Sequence, residues 1–583
     1  MALKTIELNA DLCVIGGGMA GLSAAVTAAR LGLKTVIVQE RPVFGGNASS
    51  EVRMWICGAS DFTYREGGLA EEIALENLRL NPTKNPYIYN AVIDGVVYGE
   101  KNVTALMNCT CFNAFAENNV IKRITAYQMT TQTLYENSAE YYADCSGDSI
   151  TAPLTGAKFM YGRENKSEYG ETMRTHSEKD AKTMGNSCLI QARRTDKKVP
   201  FHAPEWAEKV SVEKLKSKGV NLTSPSDNFW YIELGGTENV ITDAENLNRR
   251  LVSLCLGVWD TIKNSGEFDA NNYELEFIGF LAAKRESRRM LGDYVMTAND
   301  IESAKGFYDV AAYGGWPLDD HNPEGFYGDK SNYSIPLKKP YGIPYRCLYS
   351  QNIENLFFAG RNVSMTHMAM SSARVMGTCV SVGQAVGAAA FIAHKYKLSP
   401  RGALQRVNEI QQVLLTEDCF LPGIKRKVAT VCKNARFNGA EVLRNGIDRD
   451  LSEEPNGVMI RHGEELVYSF DAPADINGVK IVFDSDFKRE SYEGLNFYER
   501  HRSSRCNISG DEPLVGLPKT LVKSYKVVIE NAFGNETQIA FSENNAKRNV
   551  VVKFTDKALK VKLVITENYG GTDASKLFTF EVF

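Results

Sequence analysis

The stretch DLCVIGGGMAGLSAAVTAARLGLKTVIVQE, from Asp11 to Glu40, constrains the chain more than any other feature. It reads as a short apolar strand, a glycine-rich turn, an amphipathic helix ending near Gly32 and a second apolar strand, which is one βαβ unit. Gly16, Gly18 and Gly21 hold the three positions of GxGxxG. Lacking side chains, they permit the tight turn, the approach of backbone to a pyrophosphate and close helix–strand packing. Ala20 lies on the same turn, where free N–H groups and the helix dipole favour an anion. Glu40, followed by Arg41, stands 19 residues beyond Gly21, where a carboxylate can accept hydrogen bonds from an adenosine ribose. The pattern predicts a dinucleotide-binding fold.

Three further segments point to the kind of dinucleotide. RPVFGGNASSEVRMWICGAS follows Glu40 and resembles the segment that runs along the pyrophosphate towards the isoalloxazine in glutathione-reductase-like and fumarate-reductase-like flavoproteins. That resemblance implies flavin contacts at Gly45, Gly46, Asn47 and Ser49. From Asn352, NIENLFFAGRNVSMTHMAMSSARVMGTCVSVGQAVGAAA reads as a strand ending at Gly360, a polar loop and a small-residue helix beginning near Thr378. It is similar to the element that closes over FAD in the same superfamily, and implies Gly360, Arg361, Gly377, Thr378 and Cys379 as cofactor-binding. A helix N-terminus there favours negative charge on the reduced ring. Asp144-Cys145-Ser146-Gly147-Asp148 resembles the strand-to-turn segment near the adenosine, adding Gly147 and Asp148, and Cys111 joins the cofactor-binding candidates. GGNASSEVRMWICGA, KRESRRMLGDYVMTANDI and THMAMSSARVMGT together resemble the FAD-dependent oxidoreductase family of bacterial flavoproteins over roughly residues 8–400. FAD is the cofactor this implies.

Catalytic candidates follow from the same plan. His367, in the loop before the second flavin helix, would face the reactive edge of the ring; an unperturbed imidazole, pKa about 6.5, can take or give a proton there. Arg374 would hold a substrate carboxylate or hydroxyl, or brace the helix. Arg53, with Trp55, follows the GGN turn closely enough to line the pocket. Asp319 and His321 form a polar loop in GGWPLDDHNPEG. Arg285, Arg288 and Arg289 of KRESRR fall on helical spacing, where Arg285 and Arg288 would present one cationic face; a salt-bridge network with Glu286 and Asp293 is the alternative and preferred reading. Trp230, Tyr231 and Glu233 read either as pocket lining or as ordinary strand residues of the core, with the core reading preferred. Two enzymatic readings stay open: hydride transfer between flavin N5 and a small polar substrate such as a sugar, or ene reduction of an unsaturated carboxylate. A carbohydrate-binding protein with a structural flavin is a third. No motif names the electron partner.

The chain has 583 residues, enough for several domains. The fold class expected is α/β: a Rossmann-like FAD-binding domain (1–157 and 280–398) with an inserted substrate domain (158–279). A helical connector (399–435) then leads to an all-β, jelly-roll-like sandwich (436–583). The last part rests on VKIVFDSDF, KSYKVVIE, RNVVVKF, KVKLVIT and LFTFEVF, short β-branched or aromatic runs between polar turns. It resembles discoidin-like or carbohydrate-binding jelly rolls, with a dimer-forming role as an alternative. The 67 basic and 71 acidic residues nearly balance, so no field for nucleic acid is expected. Val375–Ile392 is apolar but rich in Gly and Ala, reading as a packed core helix rather than a membrane span. No signal-peptide pattern opens the chain, so a cytoplasmic protein with reduced thiols is expected. Seven histidines without HExxH or a CxxC pair predict no catalytic metal.

Overall fold

The computed structural model describes residues 3–172, 175–222, 227–451, 455–510 and 512–583. Two compact units emerge, and both are discontinuous in sequence. One comprises Met1–Ser60, Thr83–Ile410 and Arg502–Leu514; the other comprises Asp61–Pro82, Gln411–His501 and Val515–Phe583.

The first unit is built on a seven-stranded sheet. β1 (Lys4–Ile15), β2 (Thr35–Val38) and β3 (Val103–Leu106) run parallel. β4 (Cys109–Glu117), β5 (Val120–Gln128) and β6 (Thr133–Asp144) form an antiparallel meander that rejoins β1 through β6. β7 (Leu356–Phe358) pairs in parallel with the end of β6. The second half of β1 and all of β2 are buried, as parallel strands covered on both faces must be. α1 (Met19–Arg30) follows the glycine turn; α2 (His367–Ala373) and α3 (Met376–Tyr396) follow β7. Thr366 caps α2, its hydroxyl accepting the N–H of Ala369 at 3.2 Å.

The small residues of α3 are explained by its partner. A Cβ at Gly383 would lie 2.1 Å from the carbonyl oxygen of Ala20, and one at Gly387 2.6 Å from that of Ala24. The backbones of α1 and α3 therefore touch, which only glycine allows at these points. α3 is long and apolar enough to cross a membrane, yet 89% of its apolar window is buried inside the protein; it is a core helix.

Between β6 and β7, helix Ala244–Asn264 packs Leu251, Val258 and Trp259 into a core with Cys188, Ile190 and Phe229. Strand Ile190–Arg194 pairs with Tyr273–Ile278. Its other edge takes Ile508, whose N–H donates to Ala192 at 2.8 Å and whose carbonyl accepts from Arg194 at 2.7 Å.

The second unit is an antiparallel sandwich. Its strands are β8 (Val458–Arg461), β9 (Glu465–Phe483), β10 (Val522–Glu530), β11 (Glu536–Ser542), β12 (Asn549–Asn568) and β13 (Ala574–Val582), in order β8-β13-β9-β12-β10-β11. RNVVVKF and KVKLVIT, read as separate strands from sequence, are the two halves of β12. Irregularities in its pairing with β9, between Ser469 and Ala474 and between Ile476 and Gly478, divide the long ladder into segments. Tyr468, Ile481, Val527, Leu563 and Phe580 fill the core.

Helix Leu69–Leu80 belongs to this unit although it lies early in the chain. Leu75 enters the sandwich core, and Glu71 pairs with Arg489 at 3.0 and 2.9 Å, each side chain only 1% exposed. Removing one partner strands the other charge without water. Glu71→Ala should therefore cost the unit about 3 kcal/mol, read as a lowered denaturation midpoint; a loss below about 1 kcal/mol would show that the pair is not desolvated.

Candidate active site

Gly16, with φ +102°, turns β1 into α1; a Cβ there would sit 2.5 Å from the carbonyl oxygen of Cys145. A Cβ at Gly21 would meet the Gly16 oxygen at 1.8 Å. Both positions are closed by the protein itself. Gly18 differs, since its Cβ would meet only the Gly46 Cα, at 4.0 Å. It is the N-cap of α1, no side chain caps that helix end, and its first turn carries no acid. The second loop stacks beside the first: Gly45 N–H donates to the Gly17 oxygen at 2.9 Å, and Gly18 bridges Gly45. The result is an open, uncapped helix N-terminus lined by glycine backbone, the shape and polarity a pyrophosphate requires.

Around it, Gly360 approaches Ala20, with only 3.5 Å left for a Cβ. Glu40 is exposed and near Arg41 at 3.8 Å. Asn47 donates to the Lys284 oxygen at 3.2 Å, and Ser49 is buried. Asp148 is bridged by Arg361 at 2.7 Å and Lys284 at 2.6 Å. Although burial opposes its ionisation, these cations hold its carboxyl below the usual range. Arg361 also lies against Gly147, where a Cβ would displace the guanidinium. Gly377 and Thr378 open α3, with Gly377 N–H donating to the Cys57 oxygen at 2.7 Å, and the Cys379 thiol contacts the Arg374 oxygen at 3.4 Å. Cys111 is a buried thiol on β4, pushed up to about 12 by burial.

Strand Leu318–His321 organises the polar groups, because alternate side chains of a strand face opposite sides. On one side, His321 Nδ1 lies 2.7 Å from Glu233, and its Nε2 3.5 Å from Asp319. Asp319 pairs with Arg374 at 3.1 Å, and Glu233 with Arg285 at 3.2 Å. Trp230 packs edge-on to His321, with centroids 5.4 Å apart. Burial alone would raise the carboxyls of Asp319 and Glu233, but their basic neighbours hold both below the usual range.

On the other side, Asp320 meets His367 Nε2 at 2.9 Å. His367 Nδ1 lies 2.9 and 3.0 Å from the two oxygens of Glu286, and its backbone N–H donates to Glu164 at 2.9 Å. His367 is fully buried. Burial disfavours its charge, yet Glu286 and Asp320 outweigh it and push the ring up to about 10. Glu164 also pairs with Arg289 at 2.8 Å. The ring of His176 stands edge-on to His367, 5.5 Å away.

A family model described as FAD dependent oxidoreductase matches residues 11–414, more than half of the chain. The chain belongs to this family. Solved structures similar in fold include a geranylgeranyl bacteriochlorophyll reductase-like protein from Thermoplasma acidophilum, at 10% identity over 71% of this chain and 88% of that one, TM-score 0.30. Another is adenylylsulfate reductase from Archaeoglobus fulgidus, at 13% identity, 70% and 74% coverage and TM-score 0.29. The family 32 carbohydrate-binding module of Streptococcus pneumoniae EndoD is similar at 11% identity over 26% of this chain and 95% of that module, TM-score 0.19. No curated protein matches the chain significantly in sequence. The flavoprotein is an FAD-dependent oxidoreductase, and the open face of Gly18 above the uncapped helix fits FAD's pyrophosphate.

Several expectations change with the structure. His367 is the first residue of α2 rather than a loop residue, because Thr366 supplies the cap just before it. His321 lies on a strand, not in a loop. KRESRR is not helical: Ala283–Lys284 and Arg289–Met290 are strands pairing with Asn186–Ser187 and Phe159–Met160, which holds the segment extended. Its arginines diverge accordingly. Arg285 reaches Glu233, Arg288 donates to the Asp148 oxygen at 3.3 Å, and Arg289 reaches Glu164. Glu286 does join the network, but Asp293 pairs with Arg401 at 2.7 Å. Arg53, at φ 64°, has partners apart from both histidine clusters: Gln191 at 2.9 Å, the Tyr87 hydroxyl at 3.0 Å and the Phe277 ring at 3.9 Å. Glu164, His176 and Asp320 are not among the residues the sequence singles out, and Glu233, open to either a pocket or a core reading, pairs with His321; in LDDH, the period-two alternation of a strand is the available signal.

Proposed function

We propose that the flavoprotein oxidises a small, uncharged, hydroxylated metabolite of the sugar or polyol class, with His321 taking the hydroxyl proton. Bound FAD supplies a two-electron acceptor for the hydride. Arg374, two residues before α3, ties the His321 cluster to the element that closes the cofactor site. Glu233, acting as acceptor for Nδ1–H at 2.7 Å, fixes the ring; Nε2, 3.5 Å from Asp319 and so beyond a normal hydrogen bond, is the nitrogen left to act as the base. Arg374 and Arg285 set the direction from which a substrate oxygen is held.

One observation favours this reading over ene reduction of an unsaturated acid. Both arginines of the cluster are already matched by carboxylates, Arg374 by Asp319 and Arg285 by Glu233. A carboxylate substrate would have to break one of these largely buried pairs, whereas a hydroxyl needs only the hydrogen-bonding capacity around them.

The two readings separate under anaerobic conditions. Oxidised protein mixed with a panel of sugars and polyols should lose its visible flavin band with at least one of them. Protein first reduced with dithionite should keep its reduced spectrum when unsaturated carboxylates are added; reoxidation by such an acid, with no bleaching by any sugar or polyol, would transfer the assignment to ene reduction.

A further inference from the structure

We infer that His176, Asp320 and His367 form a binding site for a divalent first-row transition-metal ion. The three offer donor atoms that all lie within 4.8 Å of one another. Each imidazole has one nitrogen anchored by a residue outside the cluster, which leaves the other for a metal.

For His176, Nε2 lies 3.2 Å from the backbone carbonyl oxygen of Glu164. A carbonyl only accepts, so Nε2 carries the hydrogen and Nδ1 presents a lone pair. That Nδ1 is buried and has no hydrogen-bond partner. An orphaned buried acceptor, on a ring that stands 5.5 Å from that of His367, is unfavourable without something to bind. For His367, Nδ1 is held by both oxygens of Glu286, which leaves Nε2 facing Asp320. A carboxylate behind the distal N–H of a ligating histidine is the arrangement that fixes its tautomer and ring angle. The other oxygen of Asp320 is engaged by the Thr175 hydroxyl, which orients the carboxylate.

The spacing suits a metal. Two donor atoms each about 2.1 Å from an ion, at a right angle, are about 3.0 Å apart. His367 Nε2 and Asp320 Oδ1 stand at 2.9 Å. Two imidazoles and one carboxylate are three ligands, which leaves further coordination positions open, and the N/O mixture suits Fe²⁺, Co²⁺ or Zn²⁺ above Ca²⁺ or Mg²⁺. His367 and Asp320 are buried, whereas His176 is part exposed. The competing account is a purely structural ion pair with a proton between His367 and Asp320, which leaves the orphaned nitrogen of His176 unused.

Equilibrium dialysis decides between them. Tag-free, FAD-loaded full-length protein is stripped with a chelator, dialysed against Zn²⁺ or, without oxygen, Fe²⁺, and its metal content measured by plasma mass spectrometry. About one ion per chain is expected, with the affinity at least ~100-fold weaker in His176→Ala and in Asp320→Asn. His176→Ala removes a part-exposed ring with one hydrogen bond, so its flavin content and metal-free melting midpoint should match those of the parent. Added metal should then raise the midpoint of the parent alone. Failure of the parent to bind an ion, or equal binding by parent and His176→Ala, would overturn the assignment.

Discussion

Gly18→Val should yield a protein that folds with the parent's melting midpoint and purifies without flavin, its affinity for FAD weakened by ~10³-fold or more. The separation of the two effects follows from the local geometry. Gly18 has extended, negative-φ backbone that valine adopts readily, and its Cβ faces only a glycine Cα, at 4.0 Å. The polypeptide leaves the new Cβ unopposed, so what the substitution obstructs is the space over the helix N-terminus. Gly21 makes the contrast: a Cβ there strikes the Gly16 oxygen at 1.8 Å, and substitution damages the fold before binding is tested. A fully loaded, yellow Gly18→Val protein would refute the placement of the phosphate cradle.

His321→Ala should keep its flavin and lose between ~10² and ~10⁴ in the rate of flavin reduction by a hydroxylated substrate, the usual worth of a positioned proton acceptor. The fold should tolerate the change, because both acids that hold the ring keep a cation: Glu233 retains Arg285 and Asp319 retains Arg374. His367 is a poorer choice for the same test. Both its nitrogens lie at hydrogen-bond distance from buried carboxylates, Glu286 and Asp320, so its removal would deprive both of a partner and destabilise the unit whatever its role in chemistry. Rapid-mixing absorbance with the substrate found in the panel measures the effect; an unchanged reduction rate would remove His321 from the mechanism.

What the sequence disclosed was local. From Asp11 to Glu40, strand, turn, helix and strand follow each other within thirty residues, each with its own periodicity, and the glycines have a steric meaning that survives without coordinates. The same holds for α3, whose small residues announce close packing before its partner is known. Long-range pairings were hidden. Helix Leu69–Leu80 is an ordinary amphipathic helix in sequence, and its membership of the sandwich depends on Leu75 and on a Glu71–Arg489 pair separated by 418 residues. Ile508, likewise, completes the edge of Ile190–Arg194 in the flavin unit from within the sandwich's own sequence.

At the site, the failures come from reading short polar runs with the wrong period. KRESRR has helical spacing in sequence, whereas strand pairing on both flanks stretches it and sends its arginines to three different acids or carbonyls. LDDH has the look of a polar loop, whereas as a strand it places Asp319 and His321 with Arg374 and sends Asp320 to His367. Composition does not distinguish these cases; only the strands beside them do.

The most direct test of the account is the visible absorption spectrum of the purified full-length protein, followed by release and quantification of its flavin. The cradle of Gly18, Gly45 and Gly46 predicts oxidised-flavin bands and about one FAD per chain. A protein that is colourless and stays so after incubation with FAD would contradict it.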